Sequence, residues 1–430
     1  MAAPREKLVV AHFMVGNTYP YTIQDWVEDI TLASENGIDG FALNIGKEEW
    51  QISRVADCYE AARRARTSQP FRVFLSLDMT SIPGASVDDA LLIRDHVSRF
   101  AGHPHQLRFI GKVLLSTFSG GKSRFGQKDL NSAWNFVKGV VEAAIHFVPA
   151  FFIDPARYPA VSSMDGFFNW NGGWSTRLTP QSPRHEIRMP RLDGDLVHLK
   201  HLGGRTFMAA VTPWFFTHYG PDSWNKNWIY RGDDWLFVRR WEQLIAMRDQ
   251  IDIVQIISYN DYGESHYVGP IKGAQPNSQA WVDGFPHEPW LHLARYYARA
   301  FKEGVYPAIE ADTIYMWARP HLKSAVTDDP VPRPRDWELT DDMIWVVVFA
   351  MAPAVVTTSS SDDGHDAQIV EVPSGVSKLS HQVDPKGSMR VRMERDGVLV
   401  AQCTPERHGF RFQERPGVYN FNVYCAMSGP

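Results

Sequence analysis

Cysteines and long apolar runs are scarce in this sequence. Three cysteines among 430 residues cannot build a disulfide framework, and no two of them have the C-x-x-C spacing of redox and zinc motifs. Cys58 lies in a helical pattern and is expected to pack on a helix face, whereas Cys403 and Cys425 could form one bridge or stay free. No stretch approaches the roughly 18 consecutive apolar residues of a membrane span, and the N-terminal stretch lacks the apolar region of a signal peptide. We therefore expect a soluble chain that is either intracellular or secreted with its leader removed.

Positive charge is not in excess either. The chain has 44 Lys and Arg residues against 49 Asp and Glu residues, for a net charge of -5. This balance gives no basis for binding nucleic acid or an anionic membrane, and it favours a neutral ligand. With 44% hydrophobic and 22% charged residues, the composition is that of an ordinary globular protein. A chain of 430 residues exceeds the size of one hydrophobic core, so we expect one large and one smaller domain in a monomer.

The motifs of nucleotide, phosphate, metal and serine-hydrolase sites are missing where they would be expected. No G-x-G-x-x-G follows the first apolar run, and "SGGKSRFG" at 119–126 is preceded by Ser116 where a phosphate-binding loop requires glycine. There is no G-x-S-x-G nucleophile turn. The first run contains A-H-F instead of a metal-binding H-x-H, and "HPHQ" at 103–106 is expected on the opposite face of the sheet. We predict neither a metal nor a cofactor.

Short apolar runs alternate with amphipathic helical patterns through the first 300 residues. Eight of these runs are predicted to be β-strands: 8–14, 38–45, 71–77, 109–115, 147–153, 164–170, 206–212 and 252–258. Continuous apolar strands separated by helices are typical of a parallel sheet that is covered on its faces. Eight such units favour a (β/α)8 TIM barrel of the α/β class. An open doubly wound sheet is the alternative, although it would more naturally have a glycine-rich nucleotide turn.

The sequence pattern changes near residue 305. Residues 306–430 contain alternating runs such as "SMRVRMERDGVLVAQC" and turn signals such as "DPKG", but no long helical pattern. Short strands separated by Gly and Pro turns predict a small β-sandwich. We therefore expect a (β/α)8 barrel over residues 1–305, followed by a β-sandwich over residues 306–430 that packs on the barrel.

Polar and aromatic residues follow the predicted strands where they end. Because the active sites of such barrels lie at the carboxyl ends of the strands, these residues are the candidates for a site. They are His12, Asn44, Asp78, Asn169, Trp170, Trp214, Tyr259, Asn260, Asp261 and Glu264. Three of them are carboxylates, which indicates acid/base chemistry. The simpler interpretation is that Asp78 caps the next helix and that Asp261 and Glu264 form a hydrogen-bonded turn with Gly263.

Tryptophans indicate the kind of ligand. Nine of the fifteen lie between residues 170 and 290, many of them beside Asn, Asp, Gly and Pro. Flat rings with such neighbours suit a neutral, polyhydroxylated ligand, which is the description of a sugar. Trp235 and Trp241 lie in helical patterns and are expected to face the core. Five others are expected to be exposed to a cleft: Trp170, Trp174, Trp214, Trp224 and Trp228.

Five segments resemble the motifs of glycoside hydrolase family 71, the fungal α-1,3-glucanases also called mutanases. They are "AHFMVGNTY", "DWVEDITLASENGIDGFALNIG", "FLSLDMTS", "TPWFFTHYG" and "SYNDYGESHYVG", in this order through nearly the whole first domain. The resemblance implies a (β/α)8 barrel followed by a β-sandwich, acting on the α-1,3-glucan of fungal walls with inversion. It also implies that Asp261 and Glu264 are the catalytic pair and that Asp78 is a third essential carboxylate.

Inversion sets requirements on this pair. One protonated carboxyl must protonate the leaving oxygen while an ionised one activates water, and the two lie about 6.5 to 9.5 Å apart, against roughly 5 to 5.5 Å in retaining enzymes. We expect a separation near the inverting range, with Glu264 as the acid, Asp261 as the base and Asp78 as a positioning group. Five other side chains of the last segment are predicted to bind substrate: Tyr259, Asn260, Tyr262, His266 and Tyr267.

Two other functions are open at this point. The chain could be a catalytically silent α-glucan-binding protein with the same aromatic cleft, or a barrel glycosidase for another α-glucan linkage. The sequence does not distinguish internal from terminal cleavage, nor does it define a role for the second domain. The expected partner is α-1,3-glucan, as polysaccharide or oligosaccharides.

Overall fold

The computed structural model describes residues 5–405 and 409–429 and shows an α/β protein. Its first eleven strands are β1 (Leu8–Met14), β2 (Gly40–Ile45), β3 (Arg72–Asp78), β4 (Arg108–Phe109), β5 (Lys112–Phe118), β6 (Ile145–Phe147), β7 (Gly166–Asn169), β8 (Thr206–Val211), β9 (Phe216–His218), β10 (Asn227–Ile229) and β11 (Ile253–Ile256). The α-helices are α1 (Ile23–Glu35), α2 (Trp50–Arg64), α3 (Val87–Ala101), α4 (Leu130–Val140), α5 (Arg184–Arg188), α6 (Gly194–Leu202), α7 (Leu236–Ala246), α8 (Gln279–Val282) and α9 (Glu288–Glu303).

Local sequence signals determine where several helices begin and end. Thr22 accepts a hydrogen bond from the backbone amide of Asp25, whose carboxylate accepts one from the amide of Thr22, so α1 starts with a capping box. Ser86 and Asp89 form the same arrangement at the start of α3. Helix α9 ends at Gly304, which has a φ of 79°, a left-handed conformation that glycine adopts at little cost.

The main sheet contains eight parallel strands in the order β6, β5, β3, β2, β1, β11, β8, β7, and β4 pairs antiparallel with β5. The first and last strands of this order approach each other. Backbone hydrogen bonds of 2.9 Å run from the amide of Asp165 to the carbonyl of Phe147 and from the amide of Phe168 to the carbonyl of Pro149. The result is a curled parallel sheet, which confirms the predicted α/β class.

Two of the eight predicted strands differ from the observed ones. The run 109–115 is divided between β4 and β5 and forms a small hairpin. The run 147–153 contributes only Phe147 to a strand, since β6 spans Ile145–Phe147. Pro149 has no backbone N–H to donate, so a regular ladder stops there, although Ala150 still forms one isolated bridge to Phe118. The prediction for this run was wrong in extent.

The C-terminal part contains two antiparallel sheets of four strands. Their strands are β12 (Thr313–Ala318), β13 (Met343–Ala350), β14 (Ala354–Ser359), β15 (Gln368–Val372), β16 (Gly375–Gln382), β17 (Arg390–Arg395), β18 (Val398–Cys403) and β19 (Tyr424–Met427). One sheet has the order β16, β13, β12, β19, and the other has the order β15, β14, β17, β18. Side chains of both sheets form one buried apolar cluster, an arrangement typical of a β-sandwich.

The other face of the β12–β13 sheet packs on the first part of the chain. Alternate residues of a strand point to opposite faces, so Trp317 and Trp345 leave the cluster between the sheets and join the main core. The ring of Trp345 lies 4.9 Å from that of Trp235, and the ring of Trp317 lies 5.8 Å from that of Trp290 on α9. The two parts of the chain therefore share a continuous aromatic core.

Residues 419–423, which we call the C-terminal strap, lie across loops of the first part. The carbonyl of Phe421 accepts a 2.9 Å hydrogen bond from the indole of Trp214, 207 positions earlier in the chain. The Asn422 amide donates to the carbonyl of Trp281, and the ring of His287 faces the carbonyl of Val423 at 3.0 Å. Phe421 is fully buried. The strap thus ties together the loop containing Trp214, helix α8 and the segment before α9.

All three cysteines are free and buried. Cys58 packs on α2 as expected, and Cys403 and Cys425 line one cavity of about 350 Å³ between the edges of the two C-terminal sheets. Burial raises the pKa of the Cys403 thiol to about 12. Within residues 5–405 and 409–429, none of the helices has the length and apolar character needed to cross a bilayer.

Candidate active site

A cavity of about 430 Å³ lies at the carboxyl ends of β1, β2, β3 and β11. Six of the predicted site residues line it: His12, Asn44, Asp78, Trp170, Asp261 and Glu264. They come from segments that are distant in the chain, and parallel strands bring them to one edge of the sheet. The cavity therefore lies on the face that the strand pattern indicates.

Asp261 and Glu264 lie on a tight turn directly after β11. Residues Tyr262–Glu264 form a single 3-10 turn, and Ser265 follows in a left-handed conformation with a φ of 58°. The Asp261 amide donates to Ser258 Oγ at 2.8 Å. A side chain at Gly263 would collide with the hydroxyl of Tyr219, so this position requires glycine. The turn presents both carboxyls to the cavity.

The two carboxyls lie closer together than inversion would predict. Oxygen atoms of Asp261 and Glu264 and a ring nitrogen of His266 all lie within 4.8 Å of one another. His266 Nε2 is 3.1 Å from Glu264 Oε2 and 4.0 Å from Asp261 Oδ2. The predicted separation near 6.5 to 9.5 Å is therefore wrong for this conformation. The reason is His266, which attracts both acids to one ring nitrogen.

The two carboxyls nevertheless differ in proton affinity. Burial, reinforced by the negative charge of Glu264, raises the pKa of Asp261 to about 6. Burial also acts on Glu264, but the hydrogen bond and charge of His266 and the charge of Lys226 outweigh it and lower the pKa of Glu264. Lys226 Nζ lies 3.6 Å from Glu264 Oε1. Asp261 is thus the carboxyl that retains its proton, and Glu264 is the one that ionises first.

His266 supports the pair from behind and is fully buried. An ionised carboxylate can only accept hydrogen bonds, so Nε2 carries the hydrogen that faces Glu264. The other ring nitrogen, Nδ1, lies 3.0 Å from Ser258 Oγ, the same hydroxyl that accepts from the Asp261 amide. One network therefore holds both acids. His266 was predicted to contact substrate, but it is buried behind the two acids and is not among the residues that line the cavity.

His12 enters the cavity from β1. Burial, together with the nearby His266, lowers the pKa of His12 to about 3, so its imidazole is neutral. The Gln255 amide lies 3.1 Å from His12 Nδ1 and donates to it, which leaves the proton on Nε2. The ring of Trp170 contacts the His12 ring edge-on at a centroid distance of 4.8 Å. His12 is thus a neutral hydrogen-bonding group.

Asp78 lines the same cavity from the end of β3. Its Oδ1 accepts hydrogen bonds from the Thr80 amide at 2.9 Å and from the Thr80 hydroxyl at 2.6 Å. This is an Asx turn, close to the simpler interpretation of an acid satisfied by its own turn. The other carboxylate oxygen is left to contact a ligand. Asn44, which also lines the cavity, lies on the neighbouring strand β2 opposite Ser76, two residues before Asp78.

Four further predicted ligands of the substrate lie behind the turn that follows β11 or to one side of the cavity. The hydroxyls of Tyr259, Tyr262 and Tyr267 donate to the backbone carbonyls of Asp29, Pro270 and Phe285, respectively. Asn260 exchanges two hydrogen bonds with the backbone of Met14. These four side chains are buried and hold the turn, so their prediction as ligands is corrected.

Asn169 also differs from its prediction. Its side-chain amide donates to Asp195 Oδ1 at 2.7 Å, and Asp195 pairs with Arg240 at 2.6 Å. Both charged side chains have no exposed surface. Asn169 therefore lies beside a buried ion pair next to a neighbouring cavity.

The tryptophans divide between the cavity and the core. Trp170 and Trp224 line the cavity, and Trp224 is 54% exposed. Trp174 and Trp214 are buried, so their predicted exposure was wrong; Trp214 bonds to the C-terminal strap instead. Trp228 lies under the Arg335 guanidinium at 5.7 Å. Trp241 is fully buried, and Trp235 donates to carbonyls of β13 and β16, as expected of core residues.

Several residues of the cavity were not found from the sequence. The segment after β2 contributes Glu48, Trp50 and Gln51, and the Gln51 amide donates to Glu48 Oε2 at 2.9 Å. The β9–β10 hairpin contributes Tyr219 and Lys226, on either side of Trp224, which was predicted. The available signal was "WNKNWIY" at 224–230, in which a lysine lies between two tryptophans in the stretch that follows the predicted strand 206–212.

Comparisons with known proteins cover nearly the whole chain. The model of glycosyl hydrolase family 71 matches residues 5–429. The chain is 37% identical to the glucan endo-1,3-alpha-glucosidase agn1 of Schizosaccharomyces pombe, over 98% of this chain and 95% of that protein. It is 33% identical to a mutanase of Penicillium rubens, over 98% and 89% of the two chains. A solved GH99 endo-alpha-mannosidase from Bacteroides thetaiotaomicron is 10% identical with a TM-score of 0.49, covering 69% of this chain and 98% of that chain. The resemblance seen in the motifs is confirmed.

Proposed function

The chain belongs to glycosyl hydrolase family 71, and from this we propose that it hydrolyses the α-1,3-glucosidic bonds of α-1,3-glucan. The names of the relatives at 37% and 33% identity, a glucan endo-1,3-alpha-glucosidase and a mutanase, support this reaction and this substrate. We also propose that the curled sheet is a (β/α)8 barrel within residues 1–305. The two C-terminal sheets are then a β-sandwich within residues 306–430.

The observation that supports catalysis is a pair of neighbouring carboxyls in one cavity whose pKa values are shifted in opposite directions. Environments that separate the pKa values of two titratable groups assign acid and base roles to them. The pKa of Asp261 is raised to about 6 and that of Glu264 is lowered. Asp261 is therefore the acid and Glu264 the base, the reverse of the order expected from the sequence.

In this assignment the proton balance of the step is simple. Asp261 gives its proton to the glycosidic oxygen as the bond from that oxygen to the anomeric carbon breaks. Glu264 takes a proton from a water molecule whose oxygen bonds to the anomeric carbon. Lys226 and His266, at 3.6 Å and 3.1 Å from Glu264, keep it ionised before the step. Asp78 contacts neither proton and positions a sugar hydroxyl.

We propose that the step inverts the anomeric carbon. The separation within 4.8 Å is closer to the roughly 5 to 5.5 Å of retaining enzymes, so inversion requires the carboxyls to separate when a sugar and a water enter between them. The Glu264 side chain supplies this movement, because Lys226, the cation paired with its Oε1, is half exposed and can move with it. The anomer of the first product tests this directly.

The walls of the cavity suit a neutral sugar. Trp170 and Trp224 offer ring faces, and Asn17, Asn44 and Gln275 offer amides that pair with hydroxyls. Such a lining agrees with the absence of a positive patch in the sequence.

Reducing-end release from insoluble α-1,3-glucan tests the proposal, with α-1,4- and α-1,6-glucans as comparison substrates and Asp261→Asn as the inactive control. Release from the α-1,3 polymer alone is the expected result. Binding without release by the parent protein would identify a glucan-binding protein, and release from another linkage alone would reassign the substrate. NMR of the fresh hydrolysate should show β-anomer ends first. An α-anomer appearing first would contradict the single displacement.

A further inference from the structure

The β9–β10 hairpin supplies three residues to the cavity, but it is not part of the main sheet. Tyr219, Trp224 and Lys226 belong to residues 216–229, whose strands pair over only three positions. Within residues 5–405 and 409–429, no ladder joins this hairpin to another named strand. A two-stranded hairpin is marginally stable on its own, so the position of these residues depends on other contacts.

A later segment of the chain supplies such contacts along β10. The amide of Arg335 donates to the carbonyl of Asn227, and the amide of Ile229 donates to the carbonyl of Arg335, both at 3.1 Å. The Asn227 side-chain amide donates to the carbonyl of Pro332 at 2.6 Å. Residues 329–335 therefore lie beside the hairpin like a third strand. We call this segment the linker strand.

Asp329 connects the linker strand to the inner side of the hairpin. Its Oδ2 lies 2.9 Å from His218 Nε2, and the other ring nitrogen of His218 lies 2.9 Å from Asn227 Oδ1. The same Oδ2 accepts from the amide of Tyr419, the first residue of the C-terminal strap, at 2.7 Å. The side chains of His218 and Asp329 are each only 3% exposed. One buried carboxylate thus joins both strands of the hairpin, the linker strand and the strap.

We propose that Asp329 is a positioning residue of the reaction, acting through His218 and Asn227 on Lys226 and thereby on Glu264. This inference rests on the proposed function, because it gives Glu264 the role of base. Lys226 directly precedes Asn227, whose side chain and backbone are both held by the linker strand. Loss of the Asp329 contact frees the hairpin, and the cation then no longer stays 3.6 Å from Glu264. Asp329 does not line the cavity, but it determines where the Lys226 ammonium lies within it.

The test uses the full chain with Asp329→Asn, Lys226→Met and the double variant, and it measures the pH dependence of kcat/KM. Asp329→Asn should lower kcat/KM by less than about tenfold, and by no more than Lys226→Met does, because its effect passes through that half-exposed lysine. The acidic limb should move to higher pH, and the same shift is expected in Lys226→Met. The groups that face Glu264 are Lys226 on the hairpin, Asp261 and His266 on its own turn, His12 on β1, and the hydroxyls of Tyr219 and Tyr230. Of these, only those on the hairpin and directly after it depend on Asp329.

The double variant decides whether the two residues act through one path. If they do, the double variant should be little worse than Lys226→Met alone, because the interaction is already lost. The matched control is Asp312→Asn, which removes a carboxylate paired with Arg395 inside the C-terminal sheets at 2.9 Å. This control should change the melting temperature without moving the pH profile. Unchanged limbs in Asp329→Asn together with fully additive losses would overturn the inference.

Hydrogen exchange of residues 216–229 provides a readout that does not require activity. Exchange should be faster in Asp329→Asn and in the second variant His218→Gln than in Asp312→Asn. If the parent protein releases no sugar while this exchange pattern holds, the proposed function fails, and the attachment of the hairpin through Asp329 is retained. If the parent is active and exchange in the hairpin is unchanged in both variants, the positioning role fails instead.

Discussion

Two turns at the same edge of the sheet place acids in the cavity, and the two turns surround these acids with different partners. The turn after β3 satisfies Asp78 with two hydrogen bonds from Thr80. The turn after β11 places Asp261 and Glu264 beside each other, with His266 behind them and Lys226 in front. The turn after β3 fixes the position of one carboxylate, whereas the turn after β11 gives its two carboxyls different pKa values. A carboxylate at a strand end therefore gains its role from its neighbours and not from its position.

The largest expected effect comes from removing either acid of the β11 turn. Asp261→Asn and Glu264→Gln should each lower kcat on α-1,3-glucan by at least about 10²-fold, as is typical of losing a general acid or base. Both variants keep the size of the side chain, so the melting temperature should stay near that of the parent. Near-normal turnover in either variant would show that this residue is not a general acid or base, and the β11 turn would then not differ from the β3 turn in this respect.

Asp78→Asn should come next, with a loss of about 10- to 100-fold from misplacement of the sugar. Since Asp78 is assigned positioning and not proton transfer, added azide or formate should not restore its activity. Thr80→Val is the matched variant, because it removes one donor to Asp78 and keeps the carboxylate. Rescue of Asp78→Asn by a small anion would place Asp78 with the reacting pair.

Lys226→Met should have a smaller effect on turnover, below about tenfold at the optimum, because half of its side chain is exposed and solvent weakens the interaction. In the proposed mechanism, activity requires Glu264 ionised and Asp261 protonated, so it should fall below the lowered pKa of Glu264 and above about pH 6. Lys226 lowers the pKa of both acids, and its loss should therefore move both limbs of the kcat/KM profile to higher pH. About 1 M salt should move the parent in the same direction. If both limbs of the pH profile stayed in place, Lys226 would not influence the pKa values of Asp261 and Glu264.

Two tryptophans should separate binding from folding, with the smallest effects on chemistry. Trp224→Ala removes an exposed ring of the cavity and should weaken oligosaccharide binding with little change in melting temperature. Trp214→Ala removes a buried ring and its bond to Phe421, and truncation of such a core residue costs about 3 to 5 kcal/mol of unfolding free energy. Titration calorimetry and thermal unfolding measure both. If Trp214→Ala weakened binding and Trp224→Ala lowered stability, Trp214 would be the ring that contacts the ligand and Trp224 the ring that stabilises the fold.

The sequence predicted which residues lie at the carboxyl edge of the sheet better than it predicted which way their side chains point. Asp78, Asp261 and Glu264 could be found because apolar strands end just before them, and parallel strands end at one edge. Tyr259, Tyr262 and Tyr267 belong to the same motif but point inward, because an irregular turn has no repeat from which orientation can be inferred. Strands of three residues, such as β9 and β10, are too short for periodicity, so Lys226 stayed hidden. The separation of the acids depended on His266 and on rotamers, which no spacing specifies.

The C-terminal strap has a consequence for synthesis on the ribosome. The loop containing Trp214 is translated 207 residues before Phe421, the residue that accepts its indole hydrogen bond. At typical rates of about 5 to 20 residues per second, the loop waits roughly 10 to 40 seconds for its partner. During this interval a bulky aromatic surface has no native cover. Nascent chains halted before residue 419 should therefore recruit chaperones and lack activity, even though every acid of the cavity has already been made.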